Sequence, residues 1–186
     1  MLEKLSRLIA KKIKETDPEG PGSVEIFEWE LGIRLNLIAT IILTLLFGWL
    51  FGHIILSLVS LLTFILIRKA SGGIHIKSLT LCAIVSAFIF SVIPFLKLEM
   101  LEKVLLSCIS FLIFLKWAPN DFEEVYTTNS FKKLKWASVI IVLVSFISQW
   151  PVLILTVFAQ AITILPIWKS WRGGGDIDEQ NSTLHV

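Results

Sequence analysis

The run LNLIATIILTLLFGWLFGHIILSLVSLLTFILI, residues 35–67, contains no Asp, Glu, Lys or Arg. Its 33 residues would make a straight helix about 50 Å long at roughly 1.5 Å per residue. The hydrocarbon core of a bilayer is only about 30 Å thick. The run therefore either tilts steeply or folds back as a hairpin, and Phe51-Gly52-His53 supplies a turn near its middle. A second run of 33 residues free of those charges, Trp136 to Trp168, has its own break at Ser148-Gln149-Trp150-Pro151. Proline favours an interruption just before itself. Two shorter charge-free stretches lie between, Ser78 to Leu96 and Val104 to Leu115.

The rest of the composition agrees with a lipid setting. Of 186 residues, 55% are apolar and 17% charged, against roughly 25% charged in a water-soluble domain. With 10 Gly, 6 Pro and 2 Cys, a disordered, collagen-like or disulfide-scaffold chain is excluded. The net charge of +2 is too small to point to a nucleic-acid partner. These features predict an all-α, polytopic membrane protein.

Charge placement counts the crossings. With both long runs folded as hairpins and the N-terminus inside, only Lys97 and Lys103 of the 17 Lys and Arg fall outside, leaving fifteen on the cytoplasmic face. Four crossings would strand seven of the 17 outside. The positive-inside rule therefore predicts six transmembrane helices with both termini cytoplasmic. Tryptophans agree: Trp49 and Trp150 fall near outer turns, and Trp117, Trp136, Trp168 and Trp171 near inner ends, the headgroup level that indole rings favour. The stretch from His53 to Ile67 is short for a crossing, which predicts tilt, snorkelling by Arg68 and Lys69, or a re-entrant helix.

Residues 1–15 have neither a continuous apolar core nor a small-residue cleavage site, so they do not read as a signal peptide. Leu2, Leu5, Leu8, Ile9 and Ile13 recur at helical spacing among lysines, which predicts an amphipathic helix on the inner leaflet. The expected organisation is a cytoplasmic interfacial segment over 1–32, a six-helix domain over 33–171, and a polar, Gly-rich cytoplasmic tail over 172–186.

Reactive groups concentrate between Arg68 and Cys82, in RKASGGIHIKSLTLC. The Gly72-Gly73 pair permits a sharp turn or a close backbone approach, and Ser78 is suited to N-cap the next helix. Cys82 then lies about 6 Å along that helix from Ser78. A helix running continuously through His75 would separate His75 from Cys82 by about 10 Å along the axis. Proton transfer needs heavy atoms within about 3.2 Å, so a Cys–His dyad requires a break that folds His75 back over the helix start. A helix N-terminus and nearby cations favour a thiolate, which would attack a peptide carbonyl with the imidazole as base and then acid. The plainer alternative is a packing cysteine beside a solvated histidine.

The same segment resembles the core of the accessory gene regulator B family, polytopic membrane cysteine endopeptidases of Gram-positive bacteria. The resemblance rests on Arg68, Gly72-Gly73-Ile74-His75 and Cys82 seven residues on, with the amphipathic start, the length, Trp117-Ala118-Pro119-Asn120-Asp121 and the basic Lys132-Lys133-Leu134-Lys135. After Asp121 the family usually has a Thr and a later Pro-Ile, where this chain has Phe122-Glu123-Glu124-Val125-Tyr126. The resemblance implies a quorum-sensing enzyme of the cell membrane, with its site at the cytoplasmic side. Its partner would be a pheromone precursor peptide. Cys82 would cut near the precursor's C-terminal end and hold the N-terminal part as a thioester, with His75 activating the thiol. An internal Cys or Ser of the precursor then closes a thiolactone or lactone.

Secondary expectations follow. Arg68, Gly72, Gly73, Ser78, Asp121, Lys132, Lys133 and Lys135 are candidates for loop support or substrate binding. The lysines are also read as a lipid-headgroup anchor, and Asp121 or Asn120 as a residue orienting His75. Cys108 is expected to pack within its helix, and His53 to sit in an outer turn away from Cys82. With only His53, His75 and His185 and no ligand cluster, neither a metal nor a cofactor is expected. A homodimer is compatible with so small a bundle. The rival classes are a small transporter, against which the lack of ionisable residues within the spans argues, and a non-enzymatic membrane scaffold.

Overall fold

A computed structural model describes residues 1–18, 20, 22–73, 78–120 and 128–167. Among these residues every regular element is helical. The elements are α1 (Leu2–Thr16), α2 (Val24–Leu50), α3 (Ile54–Ser71), α4 (Leu79–Val92), α5 (Met100–Trp117), α6 (Thr128–Ser148) and α7 (Pro151–Thr163), with a 3-10 turn at Ile93–Phe95. Both long charge-free runs are hairpins. The first turns at Phe51-Gly52-His53, where Gly52 takes φ +75°. In the second, Pro151 opens α7, a position where its missing N–H removes no helical bond. α2 starts at Val24 and runs unbroken through position 32 into the apolar run.

α2 and α3 are long and apolar enough to cross a membrane by length and composition. The α4 segment through Phe95, and α7, are shorter apolar helices. α4 has 14 residues and α7 has 13, about 20 Å each.

The α2 seams bury small and polar side chains, while many large apolar ones face outward. α2 buries Gly32, Asn36, Thr40, Thr44 and Gly48, one every four residues, a single stripe along the helix. α2 packs chiefly on α4, which buries Ala83, Ala87 and Ser91 at the same interval. Small residues at such a seam let helix axes approach closely where lipid tails offer no hydrophobic drive. Ser60 of α3 meets Thr156 of α7 at 2.7 Å, both buried. Outward, Ile55 is 73% and Ile147 78% exposed. Cys108 also faces outward, exposed on α5 rather than packed inside. A compact apolar cluster of Ile67, Ile113, Phe114, Val142, Val157, Ala161 and Ile164 ties α3, α5, α6 and α7 together.

Contacts between helix ends fix the arrangement. The ends of α3, α5 and α7 meet one another, and the starts of α1 and α4 meet beside the first half of α2. At the opposite end Phe47, Phe51, Phe88 and Phe95 cluster, with the His53 ring 4.7 Å from that of Phe95. His53 thus lies in the turn and at the end where it was expected, away from Cys82.

Gly48 is where α2 and α3 come nearest. A Cβ there would lie 3.1 Å from Ile54 Cα and from Ser57 Cβ and Oγ. Gly48→Leu should therefore lower stability in detergent by about 1–3 kcal/mol. Thermal unfolding checks this, with outward-facing Ile42→Leu expected to leave the midpoint unchanged.

Candidate active site

α3 ends where its chain can turn only through glycine. Gly72 has φ +69° and Gly73 φ +133°, in the region that L-residues with a Cβ rarely occupy. Four groups hold this turn. Asn120, just past α5, donates its backbone N–H to the Ser71 carbonyl (2.9 Å) and accepts the Gly73 N–H (3.0 Å), forming an isolated parallel bridge. Its side-chain amide donates to the Ile164 carbonyl at the end of α7 (2.9 Å). Gln160 of α7, fully buried, donates from Nε2 to Ser71 Oγ (2.9 Å) and to the Gly72 carbonyl (2.6 Å). Arg68, in the last turn of α3, donates to the Gly73 carbonyl (3.2 Å), its guanidinium 5.7 Å from the Phe64 ring centre.

The second glycine is also required by space. A Cβ at Gly73 would lie 2.8 Å from Thr163 Oγ1 and 3.1 Å from Gln160 Nε2. The end of α7 thus lies directly against the chain two residues before His75. This clamp satisfies backbone groups that would otherwise be buried without partners.

On the other side of the segment, α4 starts at Leu79 with Ser78 as its N-cap, the hydroxyl accepting the Leu81 N–H (3.4 Å). The helix carrying Cys82 therefore does not run back through position 78, as a dyad requires. The Cys82 N–H makes the first bond of the helix backbone, to the Ser78 carbonyl (2.9 Å), and the Cys82 residue is half-buried. Glu3 of α1 reaches this helix start, its carboxylate accepting from the Ser78 hydroxyl (2.9 Å) and the Thr80 N–H (3.4 Å). The Met1 ammonium first, and then Glu3's own backbone N–H, hold the Glu3 carboxyl far below the usual carboxylate range. Burial opposes this, and the bonds from Ser78 and Thr80 add to it.

The structure thus brings Arg68, Gly72 and Gly73 into one hydrogen-bonded turn and places Ser78 and Cys82 on the helix that follows. Lys132 and Lys133, both exposed, and half-buried Lys135 lie near the start of α6. Chain direction puts that start at the same end of the bundle as the glycine turn. His75 and Asp121 lie outside the described residues. Glu3, Gln160 and Thr163 escaped the sequence reading because each acts on a segment more than 70 residues away. Their signal was faint, a polar Gln inside a charge-free run and a Glu at the tip of an amphipathic helix.

The sequence profile described as accessory gene regulator B matches residues 3–171. An AgrB-like protein of Halalkalibacterium halodurans is 29% identical over 98% of this chain and 100% of its own length. AgrB-like protein 2 of Clostridium perfringens is 26% identical over 74% of this chain and 71% of its own length. Protein FsrB of Enterococcus faecalis is 25% identical over 87% and 73%. No solved structure matches the chain.

Substitutions at two positions, Gly73 and Gln160, test the clamp. Gly73→Ala should cost about 1–3 kcal/mol from its φ and its contact with Thr163, and Thr163→Ala should recover part of that loss. Gln160→Leu, similar in volume but without donors, should cost about 1–3 kcal/mol. Denaturation midpoints in detergent report both, and wild-type midpoints would contradict the packing described.

Proposed function

The chain belongs to the accessory gene regulator B family, whose members serve peptide quorum sensing, and from that premise we propose that it is a membrane-embedded cysteine endopeptidase. Its substrate is a pheromone precursor peptide, Cys82 is the nucleophile, and His75 is the general base and then acid. The observation that carries this reading is the placement of Cys82. It lies one turn inside a helix that begins afresh at Leu79, after a glycine turn fixed two residues ahead of His75.

In the first step the Cys82 thiol passes its proton to the imidazole. The sulfur attacks the scissile carbonyl carbon, a C–S bond forms, and the C–N bond breaks. The proton goes to the departing amine of the C-terminal fragment. In the second step a thiol or hydroxyl within the N-terminal fragment attacks the thioester carbonyl. The ring closes as a thiolactone or lactone, and Cys82 recovers its proton. A thioester keeps much of the acyl-transfer potential, so cyclisation competes with hydrolysis where water is restricted and the internal nucleophile is held close.

The same reading places six helices, α2 to α7, across the membrane, with α1 on its cytoplasmic face and the site at that end. Buried serine and threonine beneath an exposed apolar surface support a lipid surround, since a water-soluble monomer rarely exposes so much contiguous apolar area. The cations support the orientation. Lys4, Arg7, Lys11, Lys12 and Lys14 on α1, Arg68 and Lys69 on α3, and Lys132, Lys133 and Lys135 on α6 gather at the site end, whereas Lys97 and Lys103 lie at the other. The short α4 and α7 are accommodated by local thinning of the bilayer. This sets Cys82 at the interface, within reach of a peptide lying on it. Lys132, Lys133 and Lys135 supply positive charge there for an acidic stretch of the precursor.

Cys82→Ser and His75→Ala should each lower precursor cleavage at least about 100-fold with unchanged amounts of protein in the membrane. Mass spectrometry of a co-expressed precursor measures this. Wild-type cleavage by either variant would overturn the assignment.

A further inference from the structure

The first turns of α1 and α4 cap each other. α1 has no side-chain cap of its own, and its Leu2 N–H donates to Thr80 Oγ1 on α4 (3.0 Å). In return Glu3 Oε1 accepts from the Ser78 hydroxyl (2.9 Å) and the Thr80 N–H (3.4 Å), and Oε2 accepts from the Thr80 hydroxyl (3.2 Å). The proton count closes. Thr80 donates its one hydroxyl proton to Glu3 and accepts from Leu2 and from the Met1 ammonium (2.9 Å), which also donates to Glu3 Oε2 (2.9 Å), while Ser78 donates to Glu3 and accepts from Leu81. Helix starts leave N–H groups without intrahelical partners, and here each helix supplies acceptors for the other. The docking continues along α1, whose buried Ser6 and Ala10 lie on the side packed on α2. A Cβ at Gly32 of α2 would lie 2.8 Å from Leu79 Cδ1 and 3.8 Å from Ser6 Oγ.

Cys82 is the residue most exposed to the loss of this contact. Its N–H makes the first bond of the α4 backbone, so unwinding a single turn releases it. Among the described residues before the Ser78 cap, the last ones pinned by other helices are Gly72 and Gly73. From the mutual cap we propose that Glu3 is a positioning residue for the reaction: its carboxylate holds the first turn of α4 and thereby fixes where the Cys82 sulfur stands. The inference rests on Cys82 being the nucleophile. Glu3 touches neither the sulfur nor the substrate, and it acts through Ser78 and Thr80.

The test is precursor turnover in membranes by full-length protein carrying a carboxy-terminal tag, so that the start of α1 is left free. Glu3→Ala should lower kcat on the order of 10-fold and change KM less than about 2-fold, because docking of the peptide is untouched while attack geometry loosens. Glu3→Gln keeps one acceptor oxygen for the Ser78 hydroxyl and the Thr80 N–H, the two bonds that hold the first turn of α4, and loses only the acceptor facing the Thr80 hydroxyl and Met1, so it should recover to within about 3-fold of wild type. Thr80→Val should reproduce the loss, and the double variant Glu3→Ala/Thr80→Val should be no worse than either single, the signature of one shared contact. Alkylation of Cys82 by a small maleimide, in a Cys108→Ser background, should speed up in Glu3→Ala as the turn frays.

Wild-type kcat in Glu3→Ala, or equal losses in Glu3→Ala and Glu3→Gln, would overturn the proposal. If Glu3→Ala does not accumulate, Thr80→Val bears the same expectation, and its wild-type turnover overturns it too. Cys82→Ser, run alongside, separates the two levels. Activity retained in Cys82→Ser would remove the nucleophile assignment itself, whereas its loss beside a fully active Glu3→Ala would remove only the role of Glu3.

Discussion

The amide of Gln160 on the Gly72 carbonyl is the contact on which the glycine-turn end of the bundle, where the proposed site lies, depends. α3 must stop and reverse so that α4 can begin, and the only described route passes through two glycines at positive φ. Such a turn has few side-chain atoms with which to hold itself. α7 supplies the missing grip from outside through Gln160, and α5 adds the backbone of Asn120. At the other margin of the segment, Ser78 is fastened by Glu3. Gly73 and Ser78, which flank the segment containing His75, are thus each fixed by other helices.

This arrangement fits reaction in a lipid environment. Hydrogen bonds between helices replace those that water would otherwise make, and an unmet carbonyl buried inside the bundle costs several kcal/mol. Ser60 with Thr156, and Gln160 with Ser71 and Gly72, are such bonds. The small-residue stripe on α2 brings α4 close enough for its first turn to meet α1. Packing of ordinary small residues on α2 thus bears on the placing of a cysteine on α4.

Much of this could be read from the chain, for physical reasons. A hydrocarbon core of fixed thickness limits the length of a crossing helix, so two charge-free runs of 33 residues had either to tilt steeply or to fold back, and the structure folds both back. Gly52 and Pro151 marked where. Ser78 was recognisable as an N-cap because hydroxyl capping is local chemistry, and Cys82 followed at one turn. The helical period of Leu2, Leu5, Leu8 and Ile13 gave α1 its form, but not its docking on α4. Gln160, Thr163 and Glu3 could not be read in this way, because their partners lie far along the chain and only three-dimensional closure brings them together. The backbone and amide of Asn120 tie the end of α5 to the glycine turn and to α7, contacts its sequence position does not reveal. Cys108, expected to pack, faces outward, since a small thiol is tolerated on either face of a membrane helix and sequence period alone does not choose.

The most direct measurement is the mass of the enzyme during turnover on a precursor whose ring-forming Cys or Ser has been replaced by Ala. Cyclisation is then blocked. A covalent adduct equal to the precursor's N-terminal fragment less one water should build up on Cys82, be released by hydroxylamine, and be missing from His75→Ala. Cleavage of that precursor with no adduct at any time, or with the adduct on Cys108, would contradict an acyl-enzyme on Cys82.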